Sequence, residues 1–394
     1  MQATKNTLSS VYKLGFCLIG DPAVKIAYPE FGMKVTTVNG QSVDGNSISF
    51  KALEKITVEG EVLDASGQLV TDFTGIVNPT VKDSKVTVTC LKNSNKDDSP
   101  AFTFTDYPNT IFIGNDSVRN GKFSFTFTVP KDISYSNLQG KMNLYAVDTE
   151  SGNEAQGNFD NFIVGGTSDT AETDTIGPEI RALYLNDTTF VDGGQVNTTP
   201  YFVAELWDKS GVNITGSSVG HDMMLVIDES TVLSYNLNSY YELLLGEDGT
   251  GIVKFPIPAL EPGKHTAEFW VWDILNNSTV RTFTFEVVEG LKPFLFDVIA
   301  TPGIAREQVT FHLMHNRPES RMRVGIMVYD LAGRQLWKHE ESGTSGLFEN
   351  YTVSWDLTSG GARMRPGVYI YRAAISTDNS KDATKARKFI ILGE

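Results

Sequence analysis

The chain has 394 residues, 40% of them apolar and 11% aromatic, which is material for two to four compact cores rather than one. Lys and Arg number 33 against 48 Asp and Glu, a net charge of −15 with a pI near 4.8. That balance excludes nucleic acid, whose phosphates it would repel, and a polybasic membrane anchor. No apolar run reaches the roughly 18 residues a transmembrane helix needs.

Residues 1–30 read as a short α/β piece. A helix is expected over 4–13 with Leu8, Val11 and Tyr12 on one face, then apolar strands at 15–19 and 23–28 around the turn Gly20-Asp21-Pro22. Such strands want neighbours on both sides, so the piece is expected to be the end of a domain cut off upstream. The polar start at Met1 is no secretory leader, which for an exported protein implies a fragment.

Short alternating segments separated by Gly, Asn, Asp and Pro then recur, the all-β pattern. A first β-sandwich is expected over 31–165, with strands at 56–63, 85–91, 122–129, 141–148 and 161–164. Residues 166–178 are polar and acidic and read as a linker. A second sandwich is expected over 179–290 and a third over 291–394, with Leu291-Lys292-Pro293 as hinge. All three endings share a form: Gly, an aromatic-rich alternating strand, a polar turn, then a strand such as Phe162-Ile163-Val164, Phe283-Thr284-Phe285 or Phe389-Ile390-Ile391. Tandem Ig-like sandwiches end this way, the last hairpin burying its aromatics between the sheets.

Chemistry-bearing residues are sparse. Cys17 and Cys90 make no disulfide framework and read as small buried hydrophobes. Asp208, His221, Asp222 and Asp228 form the densest polar group and offer oxygen ligands suited to Ca²⁺. No spaced Asp run of the EF-hand kind accompanies them, and turn caps with a structural histidine account for the same residues. His312 and His315, three apart, fall on opposite faces of a strand. Trp270 and Trp272 share a strand face, and a period of two assigns that face to the core rather than to a carbohydrate platform.

The last block carries Tyr329-Asp330-Leu331-Ala332-Gly333-Arg334, Gly367-Val368-Tyr369-Ile370-Tyr371-Arg372 and Lys388-Phe389-Ile390-Ile391-Leu392. It resembles the Ig-like C-terminal sorting domain of proteins exported by the type IX secretion system of Bacteroidota. Phe16-Cys17-Leu18-Ile19-Gly20-Asp21-Pro22-Ala23-Val24 resembles the end of a gingipain-type cysteine peptidase domain. Trp207-Asp208-Lys209-Ser210-Gly211-Val212 and Leu260-Glu261-Pro262-Gly263-Lys264-His265 extend the likeness, so that nearly the whole chain resembles the C-terminal part of the PorU-like sortases of that system. The resemblance implies a surface cysteine peptidase whose catalytic His and Cys lie upstream of this chain, Cys17 not being the nucleophile. It implies as partners the upstream catalytic domain and an outer-membrane β-barrel shuttle of the PorV type. The alternative is a surface adhesin or glycan-binding cargo whose last domain is only an export tag.

Overall fold

The computed structural model describes residues 28–92, 100–169, 174–216, 220–244, 249–377 and 379–393. The expected helix at 4–13, the strand at 15–19 with Cys17, the turn at 20–22 and nearly all of the strand at 23–28 lie outside them. The fold is all-β: among the described residues the only helical turn is the 3₁₀ segment Asn238–Tyr240. No helix among them is long and apolar enough to cross a membrane.

Three large hydrophobic cores follow one another along the chain, from Met33 to Val164, Leu185 to Val287 and Leu295 to Ile391. Alternation builds each. Lys122–Thr128 turns Phe123, Phe125 and Phe127 inward and Lys122, Ser124 and Thr126 outward. Burying each such ring contributes about 2–3 kcal/mol.

The second and third units share one plan. In the second, Glu179–Leu185, Tyr201–Trp207, Thr250–Pro256 and Tyr241–Leu243 form one sheet. Gln195–Val196, Ser278–Val287, Gly263–Trp272, Met224–Ile227 and Ser234–Asn236 form the other. In the third, Leu295–Thr301, Val309–His315 and Tyr351–Trp355 face Ile304–Ala305, Ala383–Ile391, Gly367–Ser376, Met322–Tyr329 and Gln335–Gly343. In both, a two-residue strand joins the last long strand in parallel, Gln195 beside Glu286 and Ile304 beside Ile390. In both, the closing hairpin pairs continuously and buries its aromatics: Phe269, Phe283 and Phe285 in one, Tyr369, Tyr371 and Phe389 in the other.

The first unit departs from that plan. Lys141–Asp148 pairs with Glu154–Phe159, a strand the shared-ending pattern passes over, while Phe162–Thr167 leaves to pair with Leu138–Gln139 and Ile48–Ala52. Lys141–Asp148 also pairs along its whole length with Gly75–Lys82. With Asp116–Arg119 bridging Gly75–Lys82 to Lys122–Thr128, the hydrogen-bonded strands close on themselves, leaving few open edges.

Two expectations are corrected. Trp270 and Trp272 lie half-buried on the outer face, with Ala267, Phe269 and Val271 in the core. Cys90 is exposed. It follows the two-stranded ribbon of Val86–Thr89 and Thr103–Asp106, which has no second layer to bury it.

Candidate functional site

The polar centre of the chain lies where the first unit meets the second. Asp132, 8% exposed, projects there after the strand Lys122–Thr128 ends. Its Oδ2 lies 2.6 Å from His221 Nδ1 and accepts from Asn213 Nδ2 at 3.3 Å, and its Oδ1 accepts from Asn276 Nδ2 at 2.8 Å. The backbone N–H of Lys131 donates to the carbonyl of Ile274 at 2.8 Å. The His221 ring packs on Trp272, centroids 4.6 Å apart. Asn115 Nδ2 donates to the carbonyl of Leu243 at 2.6 Å. A cleft of about 570 Å³ opens beside these contacts, lined in part by Phe112, Phe127, Val212, Tyr241 and Ile274.

Next to it three carboxylates crowd together. One oxygen each from Asp174, Asp208 and Asp273 lies within 4.8 Å of the others. Asp273 is fully buried and Asp208 nearly so. Backbone donors hold them: Asp208 Oδ1 accepts from Ser210 and Gly211, and Asp273 Oδ1 from Leu275 and Asn277. Asn277 Nδ2 donates to Asp273 Oδ2 at 2.6 Å and to the carbonyl of Asp174 at 3.1 Å, tying the residues before the second unit to its core. Burial pushes the Asp273 carboxyl upward, the bonds from Asn277 oppose this, and the charge of Asp208 adds to it. Like charges this close are relieved by a proton or by a hard cation on three oxygens.

The four residues singled out from the sequence have four different settings. Asp208 belongs to this carboxylate group. His221 is held by Asp132. Asp222 Oδ1 accepts from Asn238 Nδ2 at 2.8 Å. Asp228, with φ near 54°, sits 2.7 Å from His265 Nδ1 and accepts from the backbone N–H of Thr266. The sequence pattern did not pick out Asp132, Asp174 or Asp273.

Among the described residues a serine beside a histidine occurs in the third unit, and it runs the wrong way for a nucleophile. His315 Nε2 lies 2.8 Å from Ser345 Oγ. The backbone N–H of Arg317 donates to His315 Nδ1 at 3.0 Å, which places the ring proton on Nε2, so the ring donates to the serine and cannot take its proton. Burial, with Arg317 beside it, pushes His315 down to about 4, so the ring is neutral at pH 7. Among the described residues the only cysteine is Cys90, exposed on its ribbon.

The third unit also differs in charge. Residues 291–394 carry 14 Lys and Arg against 11 Asp and Glu, whereas residues 1–290 carry 19 against 37. On the outer face of its five-stranded sheet, Ile304, Ile390 and Val368 form a row across three strands, with Ile370 beside Lys388. Ile304 is 55% exposed, Val368 39% and Ile370 38%. Arg372 and Lys388 stand among them, exposed and without an ion-pair partner among the described residues.

No protein-family model and no curated protein matches the chain. Two solved structures under 15% identical superpose poorly. One is a tetra-tandem repeat from the extending region of a large adhesion protein (14% identity, 93% of this chain, 74% of that one, TM-score 0.20). The other is the Ig1-2 module of the Drosophila receptor protein tyrosine phosphatase DLAR (10%, 56%, 100%, 0.23). Dimeric latent PorU from Porphyromonas gingivalis superposes loosely too, with a TM-score of 0.43, so the relation rests on shared sequence. Over 95% of its length this chain is similar to PorU at 37% identity, and it spans about a third of that protein, 35% of the solved chain.

Proposed function

We propose that the chain is a non-catalytic accessory and docking region of a cell-surface sortase-like cysteine peptidase of the type IX secretion system. In this reading the third unit docks the protein to an outer-membrane β-barrel partner, and the first two support and space the catalytic domain. The observation that carries the reading is the 37% identity with PorU across 95% of the chain. The third unit supports the docking role. It alone has an excess of basic residues, and its outer face joins aliphatic side chains to Arg372 and Lys388, which have no ion-pair partner among the described residues. Exposed apolar surface with charges at its edge suits a protein interface.

The test is co-purification from outer membranes of the full-length protein, intact, lacking residues 292–394, or carrying Ile370→Asp with Val368→Asp. The intact protein should bring the barrel with it and the other two should not. Retention of the barrel by the shortened protein would overturn the docking role.

A further inference from the structure

The outer face of three neighbouring strands in the first unit differs from those of Lys55–Leu63 and Lys122–Thr128 in the same unit. Gly75–Lys82, Lys141–Asp148 and Glu154–Phe159 pair in register. Gln156, Tyr145 and Asn78 therefore stand in one row across the strands, and Asn158, Asn143 and Thr80 in the next. These six line a hollow of about 540 Å³. Charged residues make up 21% of the chain, yet none of the six is charged. Four are side-chain amides, and none of the four makes a side-chain hydrogen bond to another described residue.

Ordinary solvation of a sheet does not account for this composition. Asn is disfavoured in strands, yet Asn78, Asn143 and Asn158 occupy interior strand positions, one on each of three adjacent strands. Two other strands of the same unit show the ordinary solution. The outer positions of Lys55–Leu63 are Lys55, Thr57, Glu59, Glu61 and Leu63, and those of Lys122–Thr128 are Lys122, Ser124, Thr126 and Thr128. Their side chains satisfy one another, Thr57 bonding Thr126 at 3.0 Å and Lys122 approaching Glu61 at 3.7 Å. The amide face leaves its donors and acceptors open.

We propose that this face binds a neutral oligosaccharide. Each amide offers an acceptor oxygen and two donor hydrogens, matching sugar hydroxyls that both donate and accept. Tyr145, 38% exposed at the centre of its row, presents a ring on which the apolar face of a pyranose can lie. Two rows across three strands span about 10 Å by about 7 Å, room for about two sugar rings. The rows on either side set the limits: Glu154, Val147 and Ile76 on one, Lys141 and Lys82 on the other. The Tyr145 hydroxyl is turned to Glu154, and Lys82 Nζ is engaged by Thr110 Oγ1 at 2.7 Å. The site does not depend on the docking role of the third unit, and failure of either leaves the other standing.

The whole chain would be tested on immobilised neutral glucans, mannans, galactans and chito-oligosaccharides beside an acidic glycan, then by calorimetry with the best neutral oligosaccharide. Saturable binding is expected, little changed as salt rises from about 0.05 to about 0.5 M because no charge is paired. Tyr145→Ala and Asn143→Ala should each weaken it about tenfold, while Thr126→Ala leaves it unchanged. Circular dichroism should show all three folded like the parent, the substituted side chains being exposed or at a sheet surface. The proposal falls if no neutral glycan binds at about 10 mM, where a site of even millimolar affinity would be mostly filled. It falls equally if Tyr145→Ala binds as the parent does, or if binding is confined to the acidic glycan and lost with Lys141→Ala.

Discussion

Asp132 Oδ2 and His221 Nδ1 face each other at 2.6 Å across the joint between the first two units, and the same carboxylate takes donors from Asn213 and Asn276. One nearly buried side chain thus holds three partners from the neighbouring unit. Asp132→Ala leaves all three without their acceptor; for the buried Asn213 amide that costs about 1–3 kcal/mol, and less for the half-buried His221 and Asn276. The expected outcome is a clear loss of melting temperature and a larger radius of gyration by small-angle scattering, as the units separate. Unchanged scattering would show that the apolar contacts beside the joint suffice without Asp132.

Asp208→Asn should stabilise the protein at pH 7. The amide oxygen keeps the bonds from Ser210 and Gly211, while the charge pressing on Asp273 disappears. Asp273 is raised in the folded state, so its cost is absent when it is protonated and grows as pH rises through that raised value. The gain should therefore be present at pH 7, about 1–3 °C in melting temperature, and shrink on acidification. A variant that melts lower than the parent at pH 7 in chelator would show that the cluster is not under repulsion.

How far these features are visible in the chain depends on range. Lys141–Asp148 is expected at its observed bounds because Met142, Leu144 and Ala146 alternate with polar residues. Gly75–Lys82 escapes the pattern because Asn78-Pro79 interrupts it, although Pro79 sits in the strand. Periodicity shows that Trp270 and Trp272 share a face but not which face is inside. Lys264, Thr266 and Glu268 on the same side as the tryptophans carried the answer. Asp132 gives no local sign at all, since its partners lie 81, 89 and 144 residues away. The carboxylate group is hidden for the same reason: Asp174 lies in the stretch read as a linker and meets Asp208 and Asp273 only in the fold.

The third unit should lose stability in mild acid through His315. Its folded value is lowered to about 4 from 6.5, by burial first and Arg317 second. The neutral ring is the one the fold accepts, so the contribution is complete above about pH 6.5 and lost as pH falls to about 4, where the unfolded chain takes up the proton first. The full span is on the order of 3 kcal/mol. In His315→Asn, whose Oδ1 can still accept from the N–H of Arg317, denaturant midpoints at pH 7 and pH 4.5 should lie closer together than in the parent. Equal pH dependence in the two proteins would assign the acid sensitivity to other groups, but not to Asp148 of the first unit, whose window lies lower. Backbone bonds from Ser151 and Thr74 hold that carboxylate at about 2, and its contribution, present above its unfolded value near 3.8, is lost as pH falls towards 2.

Tyr371 joins the two sheets of the third unit and separates polar from apolar contributions there. It is 1% exposed, its hydroxyl donates to the carbonyl of Val298 on the opposite sheet at 3.0 Å, and its ring lies 4.9 Å from Phe311 and 5.8 Å from Phe389. Tyr371→Phe keeps the ring and loses the one bond, an expected cost of about 1 kcal/mol. Tyr371→Ala removes the ring as well and leaves a cavity between the sheets, for about 3–5 kcal/mol. Calorimetry of the whole chain should place both losses in the transition of the third unit, with the larger for alanine. Similar losses in the two variants would mean that the bond to Val298, not the aromatic packing, fixes the spacing of the sheets.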